Sequence, residues 1–321
     1  MHAIVPPLSL CGPVVTIRKF GLRPFTPDDL VTLGTLTAPM MEFLGACVRA
    51  KANIIVSGGT GSGKTSLLGV ISSFVPSGER LITIEDAAEL RLAQPHVVSL
   101  EARPPNVEGV GEVTVRSLLR NALRMRPDRI IIGEVRGGEA LDMLQAMNTG
   151  HEGSLSTAHA NSPMDLLSRL ETMALMSDVD LPVSHVREQI AGALDLVVHM
   201  SRLPSGRRMV SRISAVEGLV RGTVAVKDVF RWSRGTAGFE ATGHMPSVVR
   251  LLEERDERVD PRIFGTLAAI PPNVNEPSRP SRTSQPETPH WRSRRMGEHS
   301  RAGLSSPRWP GNLRRLGTIL E

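Results

Sequence analysis

Between Asn53 and Met200 the chain repeats one alternation: a short run in which nearly every residue is apolar, then a longer stretch whose apolar residues recur every three or four positions. The short runs are NIIVSG, RLITIED, PHVVSLEA, RIIIGE, GSLSTAH and LDLVVHMSR, which read as strands, with Ile130–Ile132 of RIIIGE as a fully buried one. TSLLGVISSF, VTVRSLLRNALRM, EALDMLQAMN, MDLLSRLETMAL and VREQIAGAL carry the helical period. Strand and helix in alternation predict an α/β domain, a mainly parallel sheet covered by helices. Over 207–232, RRMVSRISAVEGL and TVAVKDVFRW predict further strands in an antiparallel extension.

The pattern changes at both ends. GPVVTIRKF predicts a strand that starts close to the initiator Met and reads as the last strand of a domain whose earlier part is not in this sequence. From Thr266 onward Pro, Ser and Arg dominate with no hydrophobic period, which predicts a disordered tail. The expected organisation is a remnant over 1–25, one α/β domain with its extension over 26–265, and a basic tail over 266–321.

Composition adds exclusions. With 40% apolar and 22% charged residues the chain reads as soluble. It has no uninterrupted apolar run of about 18 residues, and MHAIVPPLSLCGP lacks a basic start and is broken by Pro6 and Pro7. Neither a membrane span nor a signal peptide is expected, and the expected location is cytoplasmic. Cys11 and Cys47 stand at no metal or redox spacing and are expected as two buried thiols. The formal charge of +5 resides in the tail, where nine Arg face four Glu, so the body is neutral. That placement, with no Tyr, three Trp and seven Phe, argues against a nucleic-acid enzyme.

The candidate chemistry begins at NIIVSGGTGSGKTSLLGV. Gly58, Gly63, Lys64 and Thr65 match the phosphate-loop pattern, with an apolar strand before it and a helix-compatible segment after it. Gly58, Gly59, Thr60, Gly61, Ser62, Gly63, Lys64, Thr65 and Ser66 are the expected nucleotide-binding residues. Successive backbone N–H groups and a helix N-terminus would surround the phosphates, with Lys64 on the β- and γ-phosphates and Thr65 on Mg²⁺. ATP and Mg are the expected ligands.

The acids define the work. Gly133 stands where many such enzymes place the Asp that organises the metal, and Glu134 follows it in RIIIGEV. The metal's carboxylate is therefore expected from the end of RLITIEDAAEL, at Glu85 or Asp86 with Glu89 further on. Glu134 is then free to polarise the attacking water. The plain alternatives are a solvated strand-end charge for Glu134 and a helix N-cap for Glu85 or Asp86. GHEGSLSTAHANSP supplies His151 and His159, and a strand at Leu155 beside the phosphate loop would bring His159 to the same edge, in reach of the γ-phosphate. A structural histidine is the alternative for each, and their spacing fits no zinc site.

In order, GGTGSGKT, ITIEDAAEL, RMRPDRIIIGEVRG and GHEGSLSTAHAN resemble the type II/IV secretion ATPases, most of all the Tad/CpaF branch that powers Flp pilus assembly. IRKF and ARPPNVEGVGEVTVRSLLRNA extend the resemblance, which covers roughly residues 5–265. It implies a RecA-like ATPase domain, a homo-oligomeric and hexameric ring with nucleotide between subunits, and mechanical output to inner-membrane pilus or secretion platform proteins from the inner face of the plasma membrane. It also implies catalytic roles for Glu134, Glu85 and His159, metal contacts from Thr65 and Glu85, and Lys64 as the phosphate-loop lysine.

A ring gives arginines a use in trans: Arg18, Arg103, Arg116 and Arg124 are the candidates. Arg116, Arg120 and Arg124 recur at i, i+4 and i+8, which predicts one helix face, and a salt-bridged face is the alternative. Members of the family carry an N-terminal domain that hinges over the nucleotide, of which only the final strand is expected here. Two other functions fit part of the pattern: a truncated, non-hydrolysing ATP-binding scaffold, and a RecA-like nucleic-acid motor, which the charge placement disfavours.

Overall fold

A computed structural model of the chain describes residues 2–17 and 23–265; Arg18 and the stretch 266–321 expected as a tail lie outside the described residues. The first strands, β1 (His2–Ile4) and β2 (Val14–Thr16), pair antiparallel with each other, Ile4 opposite Val14. The strand read from GPVVTIRKF thus has its partner within this chain. Cys11, in the turn between β1 and β2, is exposed, whereas Cys47 is buried. The expectation of two buried thiols fails at Cys11 because two three-residue strands build no core.

Two helices that the apolar pattern did not single out come next, α1 (Pro27–Thr32) and α2 (Ala38–Arg49). Each follows an extended Thr and has Pro in its first turn. Thr26 closes a capping box with Asp29, and Thr37 accepts the Met40 N–H. Both helices bury residues against the sheet, Leu30 from α1 and Phe43 and Leu44 from α2.

The predicted alternation then appears in full: β3 (Ile54–Gly58), α3 (Lys64–Ser72), β4 (Leu81–Glu85), β5 (Val97–Glu101), α4 (Val115–Ala122), β6 (Arg129–Val135), α5 (Glu139–Asn148), β7 (Leu155–Ala158), α6 (Pro163–Leu175), α7 (Val183–Ala193) and β8 (Leu196–Arg202). Three antiparallel strands extend it, β9 (Arg208–Val220), β10 (Thr223–Ser233) and β11 (Gly238–Ala241), followed by α8 (Val248–Glu254). The nine-stranded sheet runs β11-β10-β9-β8-β3-β7-β6-β4-β5. From β8 through β5 every pairing is parallel, and those of β8/β9, β9/β10 and β10/β11 are antiparallel. The fold class and the antiparallel extension are as the sequence predicts; β11 and α8 are additions.

Alternate strand residues enter opposite cores. Ile54 and Val56 pack in one cluster with Phe43 of α2 and Leu67 of α3, while Ile55 packs in the other with residues of α4 through α7. That is why the strand runs are apolar without alternation. A parallel sheet puts all its strand carboxyl ends on one edge, and there the candidate site lies.

The opposite edge is held by polar groups. Asn53 accepts the N–H groups of Gly153 (2.8 Å) and Ser154 (3.1 Å), donates to the Ala193 carbonyl (2.7 Å), and gives its backbone N–H to Asp195 (2.8 Å). Burial raises the Asp195 carboxyl from 3.8 to about 6, with the Asn53 N–H pulling the other way. A carboxyl that protonates more readily in the fold than in the unfolded chain favours the folded state most at low pH. It loses that advantage as pH rises from about 4 through about 6. Asp195→Asn keeps an acceptor for Asn53 and buries no charge. Relative to the parent it is expected to gain up to about 3 kcal/mol of stability between about pH 4 and pH 7. Urea melts of both proteins check this, and a difference independent of pH would show that folding does not shift the Asp195 carboxyl.

Candidate active site

Glycine makes the turn after β3 possible. Gly58, Gly61 and Gly63 have φ of 147°, 69° and 101°. A Cβ on Gly58 would lie 2.4 Å from the Met200 carbonyl oxygen and 2.7 Å from Ser62 Oγ. Gly63 is the left-handed N-cap of α3, and no side chain caps that helix, so its first N–H groups stay open to an anion. Ser62 Oγ is buried without a hydrogen-bond partner among the described residues. Lys64 folds back, Nζ donating to the carbonyls of Gly58 (3.1 Å) and Gly59 (3.2 Å). Burial holds its ammonium below the ordinary lysine pKa, with Glu134 partly countering. The outside of the loop is braced by Arg208 of β9, whose Nε donates to the Gly61 carbonyl at 2.9 Å. An uncapped helix start, an orphaned hydroxyl and an ammonium resting on loop carbonyls fit a polyphosphate.

Glu134 is delivered by an irregularity in β6. Ile132 pairs with Ser156 and Val135 with Ala158, so three steps on β6 match two on β7, a β-bulge over Gly133 and Glu134. Ile131 lies in the core that contains α3, and both Ile132 and Val135 lie in the other. Regular alternation would have put Glu134 in that other core; the bulge takes it out of the pleat. Glu134 Oε1 then sits 2.7 Å from His159 Nε2, and the same nitrogen is 3.4 Å from Lys64 Nζ. Burial lowers the His159 pKa, the Glu134 charge opposing and Lys64 adding to the fall. The structure thus brings Lys64, Glu134 and His159 together, with Thr65 in the first turn of α3.

Glu85 ends β4 and is buried. Its Oε1 accepts the N–H groups of Glu89 (3.1 Å) and Leu90 (3.1 Å), and Oε2 accepts Leu90 N–H at 3.3 Å. Burial raises its pKa and those N–H groups pull it down. The N-cap alternative does not hold, because 86–90 form no helix. A Cβ on Gly133 would lie 2.9 Å from Glu85 Cγ, so glycine is the residue that lets Glu85 lie against β6. Asp86 turns away to Arg136.

The other predicted residues are placed elsewhere. Arg103 Nε donates to the Gly111 carbonyl (2.9 Å) and closes the loop 103–113. Arg116 pairs with Asp142 (2.7 Å) and Asp178 (2.6 Å), and Arg120 shares Asp142 at 2.9 Å. That is the salt-bridged face named as the alternative. The extrapolation to Arg124 runs past the helix, since α4 ends at Ala122 and Arg124 is exposed in the 3₁₀ turn Leu123–Met125. The His151 backbone carbonyl accepts from Ser154 Oγ (2.8 Å), and its buried Nδ1 has no hydrogen-bond partner among the described residues.

Three site features escape sequence reasoning: Arg136 on Glu134, Arg208 under the phosphate loop, and Ser57 Oγ 2.9 Å from His199 Nδ1, both buried, joining β3 to β8. Only the register that sets Ser57 beside His199 reveals the last.

The family described as "Type II/IV secretion system protein" matches residues 3–230. A Mycobacterium tuberculosis protein named for conjugal transfer is 42% identical over 246 residues, which cover 76% of this chain and 68% of that one. The conjugal transfer protein TrbB of Rhizobium radiobacter is 37% identical, covering 68% and 64%. The type IV secretion system protein PtlH of Bordetella pertussis is 43% identical, covering 56% and 54%. Among solved structures, the VirB11 ATPase of the Brucella suis type IV secretion system, in complex with sulphate, superposes with a TM-score of 0.51 at 35% identity, over 62% of this chain and 60% of that one.

Proposed function

This chain belongs to the type II/IV secretion system protein family, a family of ATPases, and we propose that it is itself an ATP-hydrolysing motor subunit of a pilus-assembly or secretion machine. The observation that carries the reading is the convergence of Lys64, His159 and Glu134 from three strand ends beside an uncapped helix start. Relatives named for conjugal transfer and type IV secretion support the class of machine, and the ordered motifs support the Tad/CpaF branch within it.

Each residue has a chemical task. Lys64 exchanges the Gly58 and Gly59 carbonyls for phosphate oxygens, which relieves an ammonium held in a half-buried site. The open N–H groups of α3 and the loop surround the same oxygens. Mg²⁺, when bound, supplies charge neutralisation on the phosphates; the Thr65 hydroxyl would hold it, with Glu85 at the end of β4, beyond β7 and β6 in the sheet. Glu134 accepts the proton of the attacking water. His159, whose pKa burial lowers, donates from its ring toward the terminal phosphate.

The working form under this proposal is a homo-oligomeric ring, hexameric, at the inner face of the plasma membrane, bearing on membrane-embedded platform proteins. Among the described residues no helix is long and apolar enough to cross a membrane. The test is Mg²⁺-dependent ATP hydrolysis by the purified chain across a wide range of protein concentration. Activity per subunit is expected to rise with concentration as neighbours complete each site. Lys64→Ala is expected to weaken ATP binding about 100-fold by removing a charge-assisted contact. Undiminished binding in that variant would remove the phosphate-loop assignment, and binding without hydrolysis at any concentration would favour the scaffold.

A further inference from the structure

Glu134 sits on a bulge, so its backbone leaves the carboxylate free to turn, and what fixes it is found in its side-chain neighbours. Arg136 donates from Nη2 to Glu134 Oε2 at 2.5 Å, and its Nη1 lies 3.2 Å from Asp86 Oδ2. His159 Nε2 is 2.7 Å from Oε1 as an ion-pair contact, and Oε1 is buried with no hydrogen bond among the described residues. Asp86, Arg136, Glu134, His159 and Lys64 therefore form one chain of contacts across the carboxyl edge of the sheet, from β4 through β6 and β7 to the phosphate loop.

The two oxygens of Glu134 are not equivalent. Oε2 accepts a hydrogen bond from a guanidinium and is the poorer base. Oε1 is the oxygen whose lone pairs no donor occupies, in a place water must enter to be deprotonated. We infer that Arg136, anchored by Asp86, is a positioning residue that turns Glu134 so that Oε1 is the proton-accepting oxygen. The inference rests on the reading of Glu134 as the base for ATP hydrolysis. Neither Arg136 nor Asp86 touches the reacting atoms in this role. An ion pair this exposed, with side chains 64% and 51% accessible, contributes little to stability, so its effect is expected in catalysis.

The state of His159 reports the arrangement without any turnover. The charges facing its ring are Glu134, Lys64, Arg136 and Arg169, and Arg136 is among those that lower its pKa. Removing Arg136 therefore raises the His159 pKa. Removing the negative charge of Asp86 would by itself lower it. If Asp86 acts by holding Arg136 on Glu134, its loss releases that guanidinium and the shift reverses sign.

The experiment is an NMR titration of ¹³C-histidine-labelled full chain without nucleotide, with the His159 signal identified by its disappearance in His159→Gln. Asp86→Asn and Arg136→Gln are both expected to raise the His159 pKa, and Arg136→Lys to leave it close to the parent value. A fall or no change in Asp86→Asn overturns the inference. In turnover, Arg136→Gln and Asp86→Asn are each expected to lower kcat about tenfold with KM for ATP unchanged, and the double variant to fall no further than Arg136→Gln alone. Additive losses, or parental kcat in Asp86→Asn, also overturn it. If Glu134→Gln hydrolyses ATP as the parent does, the reading of Glu134 as the base fails instead, and the NMR signs still decide whether Asp86 holds Arg136.

Discussion

Glu134→Gln is expected to lower ATP turnover by about a thousandfold while leaving ATP binding nearly unchanged, because an amide cannot accept a proton. Glutamine has the size of glutamate and keeps an oxygen for Arg136, so the bulge over Gly133 and Glu134 and the packing of Glu85 against Gly133 are undisturbed. What disappears is the basic Oε1 beside His159. Steady-state hydrolysis together with equilibrium binding of ATP separates the two quantities. Undiminished turnover would place the base elsewhere. Glu85 is a poor substitute, since both its oxygens already accept backbone N–H groups.

The second large effect concerns stability, at the opposite end of the sheet. Arg129 begins β6 and is fully buried. Its guanidinium pairs with Glu79 through Nε and, at 3.0 Å, through Nη2, and Nη1 donates to the Val48 carbonyl at the end of α2. Gly153 is shaped by it, since a Cβ there would lie 2.6 Å from Arg129 Nη1 and 2.9 Å from Lys51 Cα. Arg129→Ala leaves the Glu79 carboxylate without a donor beside an empty volume, while the Val48 carbonyl keeps the Lys51 N–H, and it is expected to destabilise the fold by about 3–5 kcal/mol. Urea denaturation reads this as a lower midpoint at unchanged slope. Arg129→Met combined with Glu79→Leu is expected to restore most of the loss, because the burial of charge goes with the pair. A double variant as unstable as Arg129→Ala would show that the guanidinium's bond to Val48 dominates.

Much of the site was legible from short stretches of sequence. GGTGSGKT is read locally because its glycines serve the backbone within a single turn, and three of them do carry positive φ. A strand beside the phosphate loop is legible at Leu155, and the parallel pairing of β3 with β7 brings His159 within 3.4 Å of Lys64. Arg124 was misplaced because a helical period says nothing of where the helix stops. Cys11 was misjudged because burial of a thiol depends on a core, and the hairpin around it has none.

What the sequence by itself determined was the layer structure, the order of strands and helices, and the phosphate loop. Those follow from the spacing of apolar residues and from glycine, and both act over a few residues. Only the tertiary structure decided which charges meet. Asp86 reaches Arg136 across strand ends, Arg208 reaches Gly61 over 147 residues, and Ser57 meets His199 over 142. Such pairs depend on strand order and register, and a single extra residue in β6 turns Glu134 out of a core it would otherwise face. Periodicity predicts which face a residue occupies on a regular strand, and Glu134 stands where that regularity breaks.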